Sequence, residues 1–146
     1  MTDSRNAEHY HDPTAAQAMQ NCNRHFAIVI SGKMPDLNDM IKLAKSGRGK
    51  YQPYAREKVR WTQEIAWECK RMHIPQLRRA SVKIDWREPD ARRDPDNIAA
   101  AAKYIMDGLV VAGVIRDDSQ RYVTSISHVW HVDKQNPRVV VEIEEG

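Results

Sequence analysis

Three aspartates and a lysine are the residues of this chain best suited to work on a phosphate. Asp94 and Asp96 stand two apart in R-R-D-P-D-N. Asp118 follows in G-V-I-R-D-D-S-Q, and Lys103 lies on the stretch between them. Hard cations such as Mg²⁺ take oxygen ligands, usually one or two carboxylates completed by waters and substrate phosphates. Arg78, Arg79, Lys83, Arg87, Arg92 and Arg93 crowd the residues leading into Asp94. Carboxylates in such a basic setting point to phosphodiester chemistry rather than to acid chemistry on a sugar.

Each of these residues also has a plainer reading. Pro95 fixes its own φ and pushes Asp94 out of helical geometry. In an extended segment the carboxylates of Asp94 and Asp96 would point to one side and share a cation. Asp96 or Asn97 would equally serve as the cap of a following helix. Asp117-Asp118-Ser119 reads as a turn with Asx hydrogen bonds, or as a metal-binding pair at Asp117 and Asp118. To meet the first two aspartates, Asp118 must come back along a helix of about 22 Å, at 1.5 Å per residue. The following strand would bring it back, or a second subunit would supply it. Lys103 is seven residues after Asp96, nearly two helical turns, which puts it on the face of the helix start. It is also four before Asp107, the spacing of a weak surface ion pair. A lysine at a scissile phosphate would stabilise developing charge.

The chain that must position these residues has 146 of them, the size of one domain with one core. Hydrophobic content of 41% and charged content of 29% are ordinary for a globular protein. The net charge of +3 does not by itself imply nucleic acid; the placement of the arginines says more. Cys22 and Cys69 are far apart and in no metal-type spacing, which fits free thiols in a reducing compartment. The longest apolar run near the start, Phe26 to Ile30, is too short for a signal-peptide core or a membrane span. A cytoplasmic protein, with no membrane partner and no nucleotide cofactor, is expected.

Residues 1–24 are polar and aperiodic, which predicts a flexible tail ahead of a domain over 25–146. His9, His11 and His25 lie in or beside that tail, too loosely spaced for a metal site. Phe26 to Ile30 is apolar on both faces and predicts a central buried strand. Asp36 to Tyr54 reads as a loop. Its G-R-G-K piece lacks the spacing of a P-loop, and Lys50 there is a candidate phosphate contact. From Tyr54 to Met72, Trp61, Ile65, Cys69 and Met72, widened by Val59 and Ala66, make an amphipathic core helix in which Trp61 and Trp67 pack. Val82, Ile84 and Trp86 alternate with Lys83, Asp85 and Arg87 in a half-buried strand. A second helix runs from about Ile98 to Ala112, ended by Gly113. Tyr122 to Val132 and Arg138 to Glu144 read as the two strands of an antiparallel hairpin. The expected fold is α+β: a small mixed sheet packed with two main helices, in the order β-α-β-α-β-β.

Residues 92 to 120, R-R-D-P-D-N-I-A-A-A-A-K-Y-I-M-D-G-L-V-V-A-G-V-I-R-D-D-S-Q, resemble the RusA family of Holliday junction resolvases. They carry the family's D-x-D-N opening, its K-x-x-x-D-[GA]-L helix, its A-G turn and its D-D pair, in order. Coarser similarity runs from Phe26 to Glu144, with residues 1–24 outside it. The resemblance implies a small α+β homodimer that cuts four-way DNA junctions with Mg²⁺, for which Mn²⁺ would substitute, leaving 5′-phosphate and 3′-hydroxyl ends. By motif position Asp94, Asp96 and Asp118 would bind metal, Asp117 would assist, and Lys103 would match the family's essential lysine. Some members place that lysine four residues after the second aspartate; here three more intervene, a shift of about 4.5 Å along a helix. Arg78, Arg79, Lys83, Arg87, Arg92, Arg93 and Lys50 are the candidate DNA contacts. The alternative is a non-catalytic module that holds branched or single-stranded nucleic acid, with Trp86 or Tyr122 as exposed stacking platforms.

Overall fold

The computed structural model describes residues 24–146. The flexible tail expected over 1–24, with His9, His11 and Cys22, lies almost wholly outside the described residues. Eight elements follow in order: β1 (His25–Ser31), α1 (Leu37–Lys45), α2 (Pro53–Arg71), β2 (Ala80–Glu88), α3 (Pro95–Ala99), α4 (Ala102–Val111), β3 (Val123–Val132) and β4 (Arg138–Glu145). The fold is α+β, a four-stranded mixed sheet with helices, as the periodicities predict. Among the described residues no helix is long and apolar enough to cross a membrane.

The sheet order is β1-β4-β2-β3. β4 pairs antiparallel with both β1 and β2, while β2 and β3 run parallel. The expected β3–β4 hairpin is therefore not formed: β2 lies between its two strands. Burial explains the choice. Val139, Val141 and Ile143 of β4 and Val82, Ile84 and Trp86 of β2 are all buried. β3, with Ser125, Ser127 and His131 exposed, takes the edge. The helices between β2 and β3 supply the crossover that a parallel pair needs.

β1 is likewise an edge strand rather than the central strand expected. Ile28 and Ile30 enter the core, but Val29 stays 47% exposed on the sheet's open face beside Val140. The segment expected to be a loop contains α1. Asp36 accepts from the Asp39 backbone N–H at 2.9 Å and Asp39 accepts from the Asp36 N–H at 3.0 Å, a reciprocal capping box.

α2 buries Trp61, Ile65, Ala66 and Cys69 as its periodicity predicts. Val59 and Met72 lie outside that stripe, 53% and 46% exposed, and Trp67 projects outward rather than packing. α2 crosses α4 at Gly108, where a Cβ would lie 2.5 Å from Ile65 Cγ2 and 3.0 Å from the Thr62 carbonyl oxygen. The glycine of D-G-L is thus the contact point of the two helices. Gly113, at φ +76, ends α4 in the left-handed conformation that glycine adopts without strain.

Candidate active site

The helix expected from Ile98 to Ala112 is broken in two. Pro95 occupies the first turn of α3, so the helix opens earlier than expected. It stops at Ala99; the Ala101 N–H donates to the Ile98 carbonyl, and in the first turn of α4 the Tyr104 N–H donates to the Ala101 carbonyl, each three residues back. The break falls within Ile98 to Ala102, where the family resemblance places its three additional residues. Lys103 therefore does not share one continuous helix with Asp96, and the face argument for it does not apply.

Asp94 sits at the N-cap position of α3 with extended backbone, φ −76 and ψ 142, yet its carboxylate makes no capping hydrogen bond. Asp96 is in the first helical turn, not in an extended run with Asp94, and accepts only from the adjacent Asn97 N–H at 3.0 Å. Both side chains are exposed. The cap that Asp96 or Asn97 might have provided is not made. The Asp94 carboxylate thus has no part in holding the helix, whereas that of Asp96 engages its neighbour in the first turn.

Arg93 holds this motif in place. Its guanidinium donates to both Glu88 oxygens at 2.7 and 2.8 Å and to the Met34 carbonyl at 2.8 Å. Asp36 and Asp39 are 3.6 and 3.8 Å away. With its side chain 11% exposed, Arg93 joins the end of β2 to the start of α1 and is taken up inside the protein. Its hydrogen-bonding capacity is thus spent within the fold.

Asp118 returns along α4 within its own chain. Its Oδ2 is 3.0 Å from Lys103 Nζ, and Asp107 Oδ1 is 3.2 Å from the same nitrogen. The segment from Gly113 makes the return, with Val114 and Ile115 buried and the Leu77 N–H donating to the Val114 carbonyl. Lys58 of α2 approaches Asp107 at 3.6 Å, a residue that periodicity gave no reason to single out. Only the packing of α2 on α4 at Gly108 brings it there. The hydrogen bonds to Asp118 and then Asp107 raise the Lys103 pKa. Asp117 stands in the turn: its Oδ1 accepts from the Ser119 N–H at 2.8 Å, and hydrogen bonding to the Ser119 side chain first, then to its backbone, lowers its pKa.

Asp107 and Asp118 thus meet at Lys103, while Asp94 and Asp96 stand at the start of α3. Among the described residues no set of three His, Cys, Asp or Glu side chains is close enough to hold a metal ion. The exposed pair of Asp94 and Asp96 still fits Mg²⁺, which needs only one or two carboxylates when waters and a substrate phosphate complete its shell.

The remaining basic candidates spread over the molecule. Arg92 is 89% exposed, with only Asp90 near it at 3.8 Å. Lys83 and Arg87 lie on the open face of the sheet beside Glu142 at 3.7 Å and Asp85 at 3.1 Å. Arg78 and Arg79 precede β2, at the opposite end of that strand from Asp94. Lys50 borders a cleft of ≈ 510 Å³ with Arg56 and Arg60. Trp86 is 1% exposed and offers no stacking platform, whereas Tyr122, the other candidate of the binding-module reading, is half-buried with the Arg121 guanidinium over its ring at 5.9 Å. Trp130, which alternation alone did not mark, is exposed close to Pro95.

The family model for endodeoxyribonuclease RusA matches residues 2–144. The match takes in the N-terminal residues that the motif resemblance had left out. No curated protein matches the chain.

Proposed function

The chain belongs to the RusA family of endodeoxyribonucleases, structure-specific enzymes that cleave Holliday junctions, and we propose that it does so as a Mg²⁺-dependent homodimer making paired, symmetric nicks. The observation that carries the metal assignment is Asp94, a carboxylate at a helix N-cap that forgoes the capping bond. Aspartate at that position ordinarily contributes about 1 kcal/mol by capping. Here the Asp94 carboxylate is left to an external ligand.

In this reading Asp94 and Asp96 hold the ion, and Asp118 is the third acidic residue of the set. A bound Mg²⁺ supplies a more acidic attacking water and neutralises charge on the phosphate; Mn²⁺ has the same ligand preference. Asp118 joins by leaving Lys103. Exposed ion pairs of this kind are worth only about 0–1 kcal/mol, so the exchange costs little. Lys103 is then free to place its ammonium against the scissile phosphate, where it stabilises developing charge. Asp117 keeps the loop folded through Ser119. Two nicks of opposed polarity call for two sites related by a two-fold axis. Arg92, Arg87, Lys83, Arg78, Arg79 and Lys50 contact the phosphate backbone of the arms, which makes binding salt-sensitive and largely independent of sequence.

Asp96→Asn tests the assignment. Cleavage of a four-way junction is abolished while junction affinity is kept, and the rise in melting temperature that Mg²⁺ gives the wild type disappears. Loss of junction binding together with cleavage would contradict this division of labour.

A further inference from the structure

A cleft of ≈ 280 Å³ opens at Pro95, the residue between Asp94 and Asp96. Trp130, His131 and Val132 of β3 line one side, and Pro95, Ile98 and Ala91 the other. Trp130 is 38% exposed and Val132 54%, although both point to the helix side of the sheet, across the cleft from Pro95 and Ile98 of α3. The Trp130 ring is held in a fixed attitude. It stacks on His128 at 5.7 Å and 16°, and His128 stacks on buried Trp86 at 6.0 Å and 8°. The Trp86 Nε1–H donates to His128 Nδ1 at 2.9 Å. An indole nitrogen can only donate, so that imidazole is neutral with its proton on Nε2. Burial lowers the His128 pKa in the same sense.

We propose that this cleft is a nucleobase subsite, in which Trp130 stacks one unpaired base of the nucleotide flanking the scissile phosphate. The inference rests on the metal role given above to Asp94 and Asp96. Pro95 lies between those two residues in sequence and is itself a wall of the cleft. A nucleotide whose phosphate is held at the aspartates has its base one sugar away, at the cleft. The cleft has room for a single heterocycle. Its rim carboxylates are already engaged, Glu88 by Arg93 and Asp90 by the Arg92 N–H at 3.0 Å. Recognition is therefore by the face of the base and not by its edge, and it tolerates any base.

A protein–DNA cycle tests this. Wild type, Trp130→Phe and Trp130→Ala are each assayed on a four-way junction whose nucleotide flanking the mapped nick carries either a base or an abasic sugar. Binding is read by titration without Mg²⁺, and cleavage by single turnover with it. Removing the base is expected to weaken the wild type by roughly five- to a hundred-fold. Trp130→Ala should lose a similar factor on the intact junction and be indifferent to the abasic change, while Trp130→Phe keeps most of the wild-type response. Equal sensitivity of wild type and Trp130→Ala to the abasic sugar would overturn the subsite and leave the nuclease reading standing. Absence of any nick by the wild type would defeat that reading and the inference with it. Conversion of a dimer to a monomer by Trp130→Ala, seen by sedimentation, would instead assign this face to a second copy of the chain.

Discussion

Arg92 and Arg93 are neighbours in sequence with opposite fates. Arg92 is almost fully exposed and available to a phosphate, while Arg93 is enclosed with Glu88, whose side chain is 8% exposed. Composition makes them equivalent; only the position of Met34, Asp36 and Asp39 across the fold separates them. Removing one partner of a buried pair leaves an uncompensated charge, which costs about 3–5 kcal/mol. Arg93→Met should therefore lower the unfolding free energy by that amount, whereas Arg92→Met should leave stability unchanged and weaken junction binding. The reverse pattern in paired urea titrations would contradict the placement of both side chains. The aspartates were legible at this scale because D-x-D-N, K-x-x-x-D-G-L and D-D occur together. The place of Asp94 and Asp96 at the start of a separate short helix was not, because the break at Ala100 and Ala101 interrupts a run of alanines that reads as unbroken helix.

At the scale of elements, the contact of α2 and α4 at Gly108 fixes where Asp107, and through it Lys103, stands. Alanine there gains about 1 kcal/mol in helix propensity. Its Cβ would nevertheless press into Ile65 and the Thr62 backbone, and overpacking of this kind costs about 1–3 kcal/mol. Backbone on one side leaves little room to yield, so Gly108→Ala is expected to lower the melting temperature and, by shifting α4, to slow cleavage. A melting temperature equal to or above the wild type would show that the helices separate freely. Strand and helix identity were legible where one face is buried, in Val82–Ile84–Trp86, in Val139–Val141–Ile143 and in Trp61–Ile65–Cys69. α1 escaped notice because its capping box uses Asp39 in place of the usual Glu or Gln. Strand order also escaped, since the polar link from Asp133 to Pro137 resembles a hairpin turn. It instead crosses the end of β2, where the Asp133 N–H donates to the Glu88 carbonyl at 2.7 Å.

Across the whole molecule, Glu145 ties three distant segments together. Its carboxylate accepts from Arg24 Nε and Nη2, both at 2.9 Å, and from the Arg78 N–H at 3.1 Å. The Arg24 bonds first, then the Arg78 backbone, lower its pKa to about 2. A carboxyl whose folded pKa lies below its unfolded value stabilises the fold above the unfolded pKa, about 4.3, and loses that contribution as pH falls toward 2. Melting temperature should drop on acidification through this window, and Glu145→Gln should flatten the drop while lowering stability at neutral pH. An unchanged acid profile in the variant would remove Glu145 from this role. The same sheet carries Asp94 just beyond one end of β2 and Arg78 just before the other, about a strand's length apart, some 30 Å at 3.3 Å per residue.

The central claim is that Asp94 and Asp96 make this chain a metal-dependent junction nuclease. It is tested most directly with a labelled synthetic four-way junction, incubated with the purified protein with and without Mg²⁺ beside a linear duplex of the same sequence. The account predicts paired, symmetric nicks near the branch point, with metal alone, and an intact duplex. Tight junction binding with no cleavage in either Mg²⁺ or Mn²⁺ would contradict it.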